Sequence, residues 1–104
     1  MKRQAIIEIW KDLNARTFGG VLTMPRILCT RNDREYASYV EPGIMYFTNK
    51  VIRKHWARSI VYHEMTHQYI AEFLGIYDEE DHGRLFWKHY RKFAPMNVIL
   101  FEGL

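Results

Sequence analysis

An uninterrupted helical stretch constrains the fold of this chain more than any other feature of its sequence. The segment from Arg58 to Leu74 contains neither glycine nor proline, and Gly75 follows it where a helix is expected to stop. Large apolar side chains recur in it at three- and four-residue spacing, as expected for the buried stripe of a packed helix. The stripe consists of Tyr62, Met65, Tyr69 and Phe73. The pattern therefore predicts a long helix packed on one side against the rest of the chain.

The same helix carries two histidines and a glutamate at the spacing of a metal site. His63 and His67 are four residues apart, so their side chains share one helical face and can bind one ion. Glu64 lies one position along, within reach of a water molecule at that ion. This H-E-x-x-H pattern is typical of zinc peptidases, in which the glutamate acts as a general base. The alternative is a surface helix with two solvated histidines, which the buried stripe disfavours.

A catalytic zinc ion usually has three protein ligands and one position open to water, so a further ligand is expected downstream. Glu72 should point elsewhere, because it lies five residues after His67 and therefore about 140° around the helix. His82 is favoured, because imidazole is the commonest metal ligand and this residue precedes the last predicted helix. Glu79 and Glu80 remain alternatives, whereas a structural role is the simpler explanation for His89. The full set of candidates is Asp78, Glu79, Glu80, Asp81, His82 and His89.

The remaining sequence predicts an N-terminal helix, three short strands and a C-terminal helix. The first helix covers residues 4–17 and is amphipathic, with one apolar face. That face carries Ile6, Ile9, Trp10, Leu13 and Thr17. Turn residues separate the later elements, and the Pro-Gly pair at 42–43 predicts a hairpin between the second and third strands. The predicted strands are 26–30, 36–40 and 44–47, and the last helix is 84–93; this order indicates an α+β fold.

Length and composition indicate one small packed domain. The chain has 104 residues, 48% of them hydrophobic, and contains no repeats or linkers, so we predict a single domain over residues 1–104. The single cysteine, Cys29, excludes an internal disulfide and a cysteine-rich zinc ribbon. Because Cys29 follows Ile27 and Leu28, we expect it to be a small buried side chain and not a nucleophile.

The charge of the chain favours anionic partners, and its start does not resemble a targeting segment. The net charge is +3, and basic residues gather in Arg53–Arg58, at Arg31 and Arg34, and in the last helix at Lys88, Arg91 and Lys92. These groups are suited to phosphate contacts with DNA, although ordinary solvated faces have the same composition. Charged residues from Glu8 onwards interrupt the first apolar stretch. We therefore expect no signal peptide or membrane span, and an intracellular protein.

Three motifs in order resemble the SprT-like (Spartan-type) zinc metalloprotease domain. That family has F-x-G-x-L after its first helix, then H-E-x-x-H, and later H-G-x-x-F, whose histidine is the third zinc ligand. Here the corresponding segments are Phe18–Leu22, His63–His67 and His82–Phe86, with 14 residues between His67 and His82. The resemblance covers roughly residues 5–93. It implies a minimal zincin-like fold, zinc bound by His63, His67 and His82, and Glu64 as the general base.

The resemblance also implies substrates and partners. Members of the family cleave proteins crosslinked to DNA, and many carry a zinc ribbon or a DNA-binding tail after the protease domain, which we do not expect here. In zincins generally, the substrate lies extended along an exposed edge of the sheet. The strand 44–47 is the expected edge, and an interior position is the alternative.

Three functional hypotheses follow. The first is a zinc metallopeptidase that acts on DNA-associated or DNA-crosslinked proteins. The second is a peptidase without any connection to nucleic acids. The third is a small nucleic-acid-binding or inhibitor protein in which zinc is structural, with a fourth ligand such as Asp81 closing the site. This last hypothesis leaves Glu64 without a required role.

Overall fold

The computed structural model describes residues 2–30, 37–40, 43–48, 57–76 and 83–94. These residues form a small α+β fold with three α-helices and a three-stranded mixed sheet, as the sequence predicts. The helices are α1 (Lys2–Arg16), α2 (Ala57–Gln68), which continues as a π-helix (Tyr69–Phe73), and α3 (Arg84–Lys92). The strands are β1 (Arg26–Thr30), β2 (Ala37–Val40) and β3 (Ile44–Thr48).

Strand β3 lies in the middle of the described sheet. It pairs with β2 in antiparallel register, which confirms the predicted hairpin, and with β1 in parallel register. Met45 is opposite Ile27 on one side and Tyr39 on the other. The prediction that residues 44–47 form an edge is therefore wrong, because both sides of this strand are already hydrogen-bonded. Within the described sheet, the edge strands are β1 and β2.

The apolar face of α1 packs into the core as predicted. Ile6, Trp10 and Leu13 are almost fully buried, and they belong to one cluster with residues of β1, β3, α2 and α3. At the solvent boundary between α1 and α2, Asp12 forms an ion pair with Arg58 and a second with Arg16. The hydrogen bond from Arg58 is the main cause that holds the pKa of Asp12 below its ordinary value. None of the helices in the described ranges has the length and apolar character needed to cross a bilayer.

The helix of the H-E-x-x-H motif changes its geometry directly after that motif. Tyr62 and Met65 are fully buried and Tyr69 is half-buried, but Phe73 is 54% exposed, so the prediction of a continuous buried stripe fails at its last member. The reason is the π-helix that begins at Tyr69: its wider turn rotates the later side chains away from the α-helical face. Phe73 instead stacks on the ring of Tyr69, with ring centroids 5.0 Å apart.

Cys29 also differs from its expectation, because its side chain is exposed. It lies near the C-terminal end of β1, which has one neighbouring strand among those described, whereas β3 has two. Side chains near the end of an edge strand are covered by fewer neighbouring residues. The apolar residues beside Cys29 in the sequence do not indicate that it lies at such a position.

A buried tyrosine of α2 forms a hydrogen bond to the last turn of α3. The hydroxyl of Tyr62 donates a hydrogen bond to the backbone oxygen of Tyr90. Tyr90 is one of the last three residues of α3, where backbone carbonyls lack a donor inside the helix, so Tyr62 satisfies one of these acceptors. Burial raises the pKa of Tyr62, and the phenol therefore stays protonated and remains a donor.

Replacing Tyr62 with phenylalanine should lower the free energy of unfolding by about 1–3 kcal/mol, because the buried carbonyl of Tyr90 loses its donor. Urea denaturation followed by circular dichroism measures this change. The matched control is Tyr46→Phe in β3, a half-buried position, which should stay within about 0.5 kcal/mol of the parent. Equal stability of the Tyr62 variant and the parent would show that this hydrogen bond does not stabilise the fold.

Candidate metal centre

The two predicted histidine ligands lie side by side on α2. Their ring centroids are 5.2 Å apart and their planes are inclined by 66°. His63 is 2% exposed and His67 is half-buried. Two imidazoles that bind one tetrahedral zinc ion, with zinc–nitrogen distances of about 2.0–2.1 Å, have centroids roughly 5 Å apart. The separation of His63 and His67 therefore fits two ligands of a single ion.

Glu64, the predicted general base, is buried beside this pair. Its exposed fraction is 6%, which is rare for a glutamate in a soluble domain. A carboxylate in such a place is retained where it is paired, hydrogen-bonded or chemically required, because its desolvation is costly. The position is compatible with a general base shielded from bulk solvent.

The third predicted ligand, His82, lies outside the described residues, as do Asp78, Glu79, Glu80 and Asp81. In the part of the chain that is described, no third His, Cys, Asp or Glu joins His63 and His67 in a group that could hold a metal ion. Description resumes at Gly83, which is the N-cap residue of α3.

The first turn of α3 lies against both imidazoles. Phe86 stacks on His67 with ring centroids 4.3 Å apart, and its centroid is 4.9 Å from that of His63. One turn later, the ring of Tyr90 lies 5.4 Å from His63. Phe86 and Tyr90 are essentially fully buried, so this contact is part of the core. It brings the start of α3, and hence the chain immediately after His82, next to the histidine pair.

Sequence reasoning did not identify Gln68, which follows His67 and is fully buried. Its side-chain oxygen accepts a hydrogen bond from Trp10 Nε1 at 3.0 Å, and its nitrogen donates to the backbone oxygen of Thr23 at 2.6 Å and to Glu72 at 3.0 Å. Glu72 also accepts a hydrogen bond from the backbone N–H of Thr23, so it points away from the imidazoles, as predicted.

The segment Phe18–Leu22 packs behind the same helix. The ring of Phe18 contacts those of Tyr62, Tyr69 and Phe93, with centroids 5.8 to 6.0 Å apart. Asn14 exchanges two hydrogen bonds with the backbone of Leu22, which closes the turn. Gly19 and Gly20 both have positive φ, a conformation that favours glycine, so this F-x-G-x-L element has a structural reason for its glycines.

His89 lies on another side of α3 from the face that contacts the histidine pair. It is 9% exposed, and its ring packs between those of Tyr69 and Phe93, with centroids 5.4 and 5.6 Å away. Its Nδ1 atom is buried without a hydrogen-bond partner among the described residues. Burial is the main cause that lowers the pKa of His89, and the neighbouring Lys88 and Lys92 act in the same direction. These contacts favour the structural role.

The lowered pKa of His89 predicts that the folded chain loses stability in mild acid. The unfolded chain binds a proton on His89 more readily than the folded chain, so folding stability should fall as the pH drops below the ordinary histidine pKa. A His89→Phe variant keeps the aromatic packing and should lose less stability than the parent between pH 7.5 and 5.5, measured by urea denaturation. The same pH dependence in both proteins would contradict this account.

A comparison of the chain with protein-family models and with curated proteins finds no match. The interpretation of the centre therefore depends on two kinds of evidence. One is the sequence spacing of its histidines, and the other is the geometry of α2 and α3 around them.

Proposed function

We propose that this chain is a zinc-dependent metallopeptidase with a minimal SprT-like domain. The observation that carries the proposal is the His63–His67 pair, 5.2 Å apart beside the buried Glu64. A solvated surface helix would leave both imidazoles free of packing, whereas here the buried ring of Phe86 in α3 packs against each of them. Two imidazoles at ligand spacing, next to a buried carboxylate, are best explained by a site that uses them.

The proposed ligands are His63, His67 and His82. The support for His82 is the contact of Phe86 with both imidazoles, because His82 precedes Phe86 by four residues and is adjacent to Gly83, the N-cap residue of α3. Three neutral imidazoles are a common ligand set for a catalytic zinc ion, and they leave one position for water. A structural zinc site would be closed by a fourth side chain and would require no general base at Glu64.

In the proposed mechanism, His63, His67 and His82 would hold a zinc ion, which would supply the Lewis acidity that makes a water molecule nucleophilic near neutral pH. Glu64 accepts one proton from the attacking water molecule as the new carbon–oxygen bond forms at the scissile carbonyl. It then delivers that proton to the nitrogen of the leaving amine as the carbon–nitrogen bond breaks. The low exposure of Glu64 keeps the proton transfer away from bulk solvent.

The substrate is proposed to lie along β2. Because β3 is interior, only β1 and β2 remain as edges of the described sheet. Of these, β2 packs against α2, the helix of the histidine pair, whereas β1 packs against α1. An extended peptide added beside β2 would be held by backbone hydrogen bonds, with little selection among side chains.

The exposed face of α3 supports a contact with nucleic acid. This helix contains no acidic residue, and its solvent-exposed positions are all basic: Arg84, Lys88, Arg91 and Lys92. The guanidinium of Arg91 lies 5.4 Å from the centroid of Trp87. Phosphate groups along this face would place DNA next to the centre, so the proposed substrates are DNA-associated or DNA-crosslinked proteins.

The other predicted basic groups add less support. Arg58 is engaged by Asp12, and its side chain is 24% exposed. Arg31, Arg34, Arg53 and Lys54 lie outside the described residues. The proposed contact with DNA therefore depends on α3.

Replacing Glu64 with glutamine should reduce cleavage of an unfolded protein substrate at least about 100-fold, because the general base is lost. Zinc content, measured by atomic emission, should stay at one ion per chain, since Glu64 is not a ligand. Glu8→Gln on the exposed side of α1 is the matched control and should keep full activity. Cleavage by the Glu64 variant at the parent rate would contradict the proposal.

The contact with DNA is tested by the salt dependence of binding. A Lys88→Ala/Lys92→Ala variant should bind duplex DNA more weakly, and the slope of log affinity against log salt should become shallower by about 1.8, or about 0.9 per lost phosphate contact. Lys11→Ala on α1 is the control and should leave the slope unchanged. An unchanged slope in the double variant would exclude α3 as the contact and favour a peptidase without a nucleic-acid partner.

A further inference from the structure

We infer that Gln68 is a positioning residue that fixes the direction of His67, an inference that rests on the proposed zinc site. Gln68 is directly after His67 in the chain and has an exposed fraction of 0%. Its amide contacts three separate parts of the fold through hydrogen bonds.

The hydrogen bonds of Gln68 use every polar atom of its side chain. The oxygen accepts from Trp10 of α1, and the nitrogen donates to the backbone oxygen of Thr23 and to Glu72 of the π-helix. A primary amide has two N–H donors, and both have acceptors here. Because these partners lie in different elements, the amide is held against both translation and rotation.

The place of this anchor matters because the helix changes type there. α2 ends at Gln68 and the π-helix starts at Tyr69. Such a junction is a point at which the direction and phase of a helix can shift. The Cα atom of His67 is about 3.8 Å from that of Gln68, so an anchor on one residue restrains the backbone of the other.

Metal sites require this kind of restraint. Ligand atoms must be held within about 0.5 Å of the productive geometry by residues whose own conformations are fixed. His63 is buried and has the ring of Tyr90 beside it, whereas His67 is only half-buried and lies at the end of the regular helix. Phe86 packs on the ring of His67, and Gln68 restrains the adjoining backbone through its hydrogen bonds to Trp10 of α1 and to the backbone of Thr23.

The experiment uses cobalt(II) as a spectroscopic substitute for zinc. Gln68→Met keeps the side-chain volume similar but removes all three hydrogen bonds. This variant should bind zinc about 10- to 100-fold more weakly than the parent in a chelator competition. Its visible cobalt absorption bands should change in position or intensity at saturating metal, because the geometry at His67 has changed. Circular dichroism of the metal-free variant should still show the folded chain.

A control separates positioning from a loss of stability. Ile27→Val trims a buried residue of β1, with an expected cost of about 0.5–1.5 kcal/mol, and should leave the cobalt bands and zinc affinity unchanged. If Gln68→Met does not fold, Glu72→Ala decides instead, because it removes one partner of Gln68 by truncating an exposed side chain. It should change the spectrum in the same direction and by less.

The outcomes distinguish this inference from the proposed function. Parent-like cobalt bands and zinc affinity in the Gln68 variant, or in Glu72→Ala where that variant decides, would overturn the positioning role and leave the zinc site standing. Changed bands in Ile27→Val as well would show a general response to destabilisation, which also overturns it. If the parent chain binds neither metal, the inference fails together with the proposed function.

Discussion

The contact between α3 and α2 is the interaction on which the candidate centre depends. Phe86 and Tyr90 bury their rings against His63 and His67, and the hydroxyl of Tyr62 completes the contact with a hydrogen bond to the backbone of Tyr90. Aromatic rings bury large apolar areas, so this packing contributes to stability and to the placement of the histidines at the same time. The same contact brings the start of α3 next to the histidine pair, and His82 directly precedes Gly83, the N-cap residue of α3, in the sequence.

Helix α2 is unusual because so many of its buried residues are polar. Besides His63 and Glu64, three further polar residues, Ser59, Thr66 and Gln68, are at most 2% exposed. Burying polar groups costs free energy unless hydrogen bonds replace those to water. Thr66 donates to the backbone oxygen of Tyr62 at 3.1 Å, and the amide of Gln68 has three partners. A helix that serves only as core would avoid these requirements with apolar side chains, which supports a chemical role for α2.

Local patterns predicted the elements of this fold well. The apolar face of α1, the bounds of β1 and the hairpin of β2 and β3 follow from side-chain periodicity and turn residues, both of which act over a few positions. The His63–His67 pair is equally local, because four-residue spacing on a helix brings two side chains together wherever that helix packs. His82 is a different case: its role as a ligand was inferred from the family resemblance and from its spacing in the sequence, and it stays a prediction.

The failed predictions involve distant partners or a change in helix type. Nothing near β3 indicates that β1 pairs with it in parallel, so its interior position was missed. Phe73 is exposed because a π-helix replaced the regular turn, which side-chain spacing alone does not encode. Gln68 was overlooked because its partners Trp10 and Thr23 lie 58 and 45 positions away, so no local pattern links them.

X-ray absorption at the zinc edge of the purified protein tests the account most directly, since it reports the number and kind of atoms around the ion. We predict one zinc ion per chain, with three imidazole ligands and one further light atom at about 2.0–2.1 Å. A chain that takes up no stoichiometric zinc, or a spectrum that requires fewer than three imidazoles, would contradict the centre proposed here.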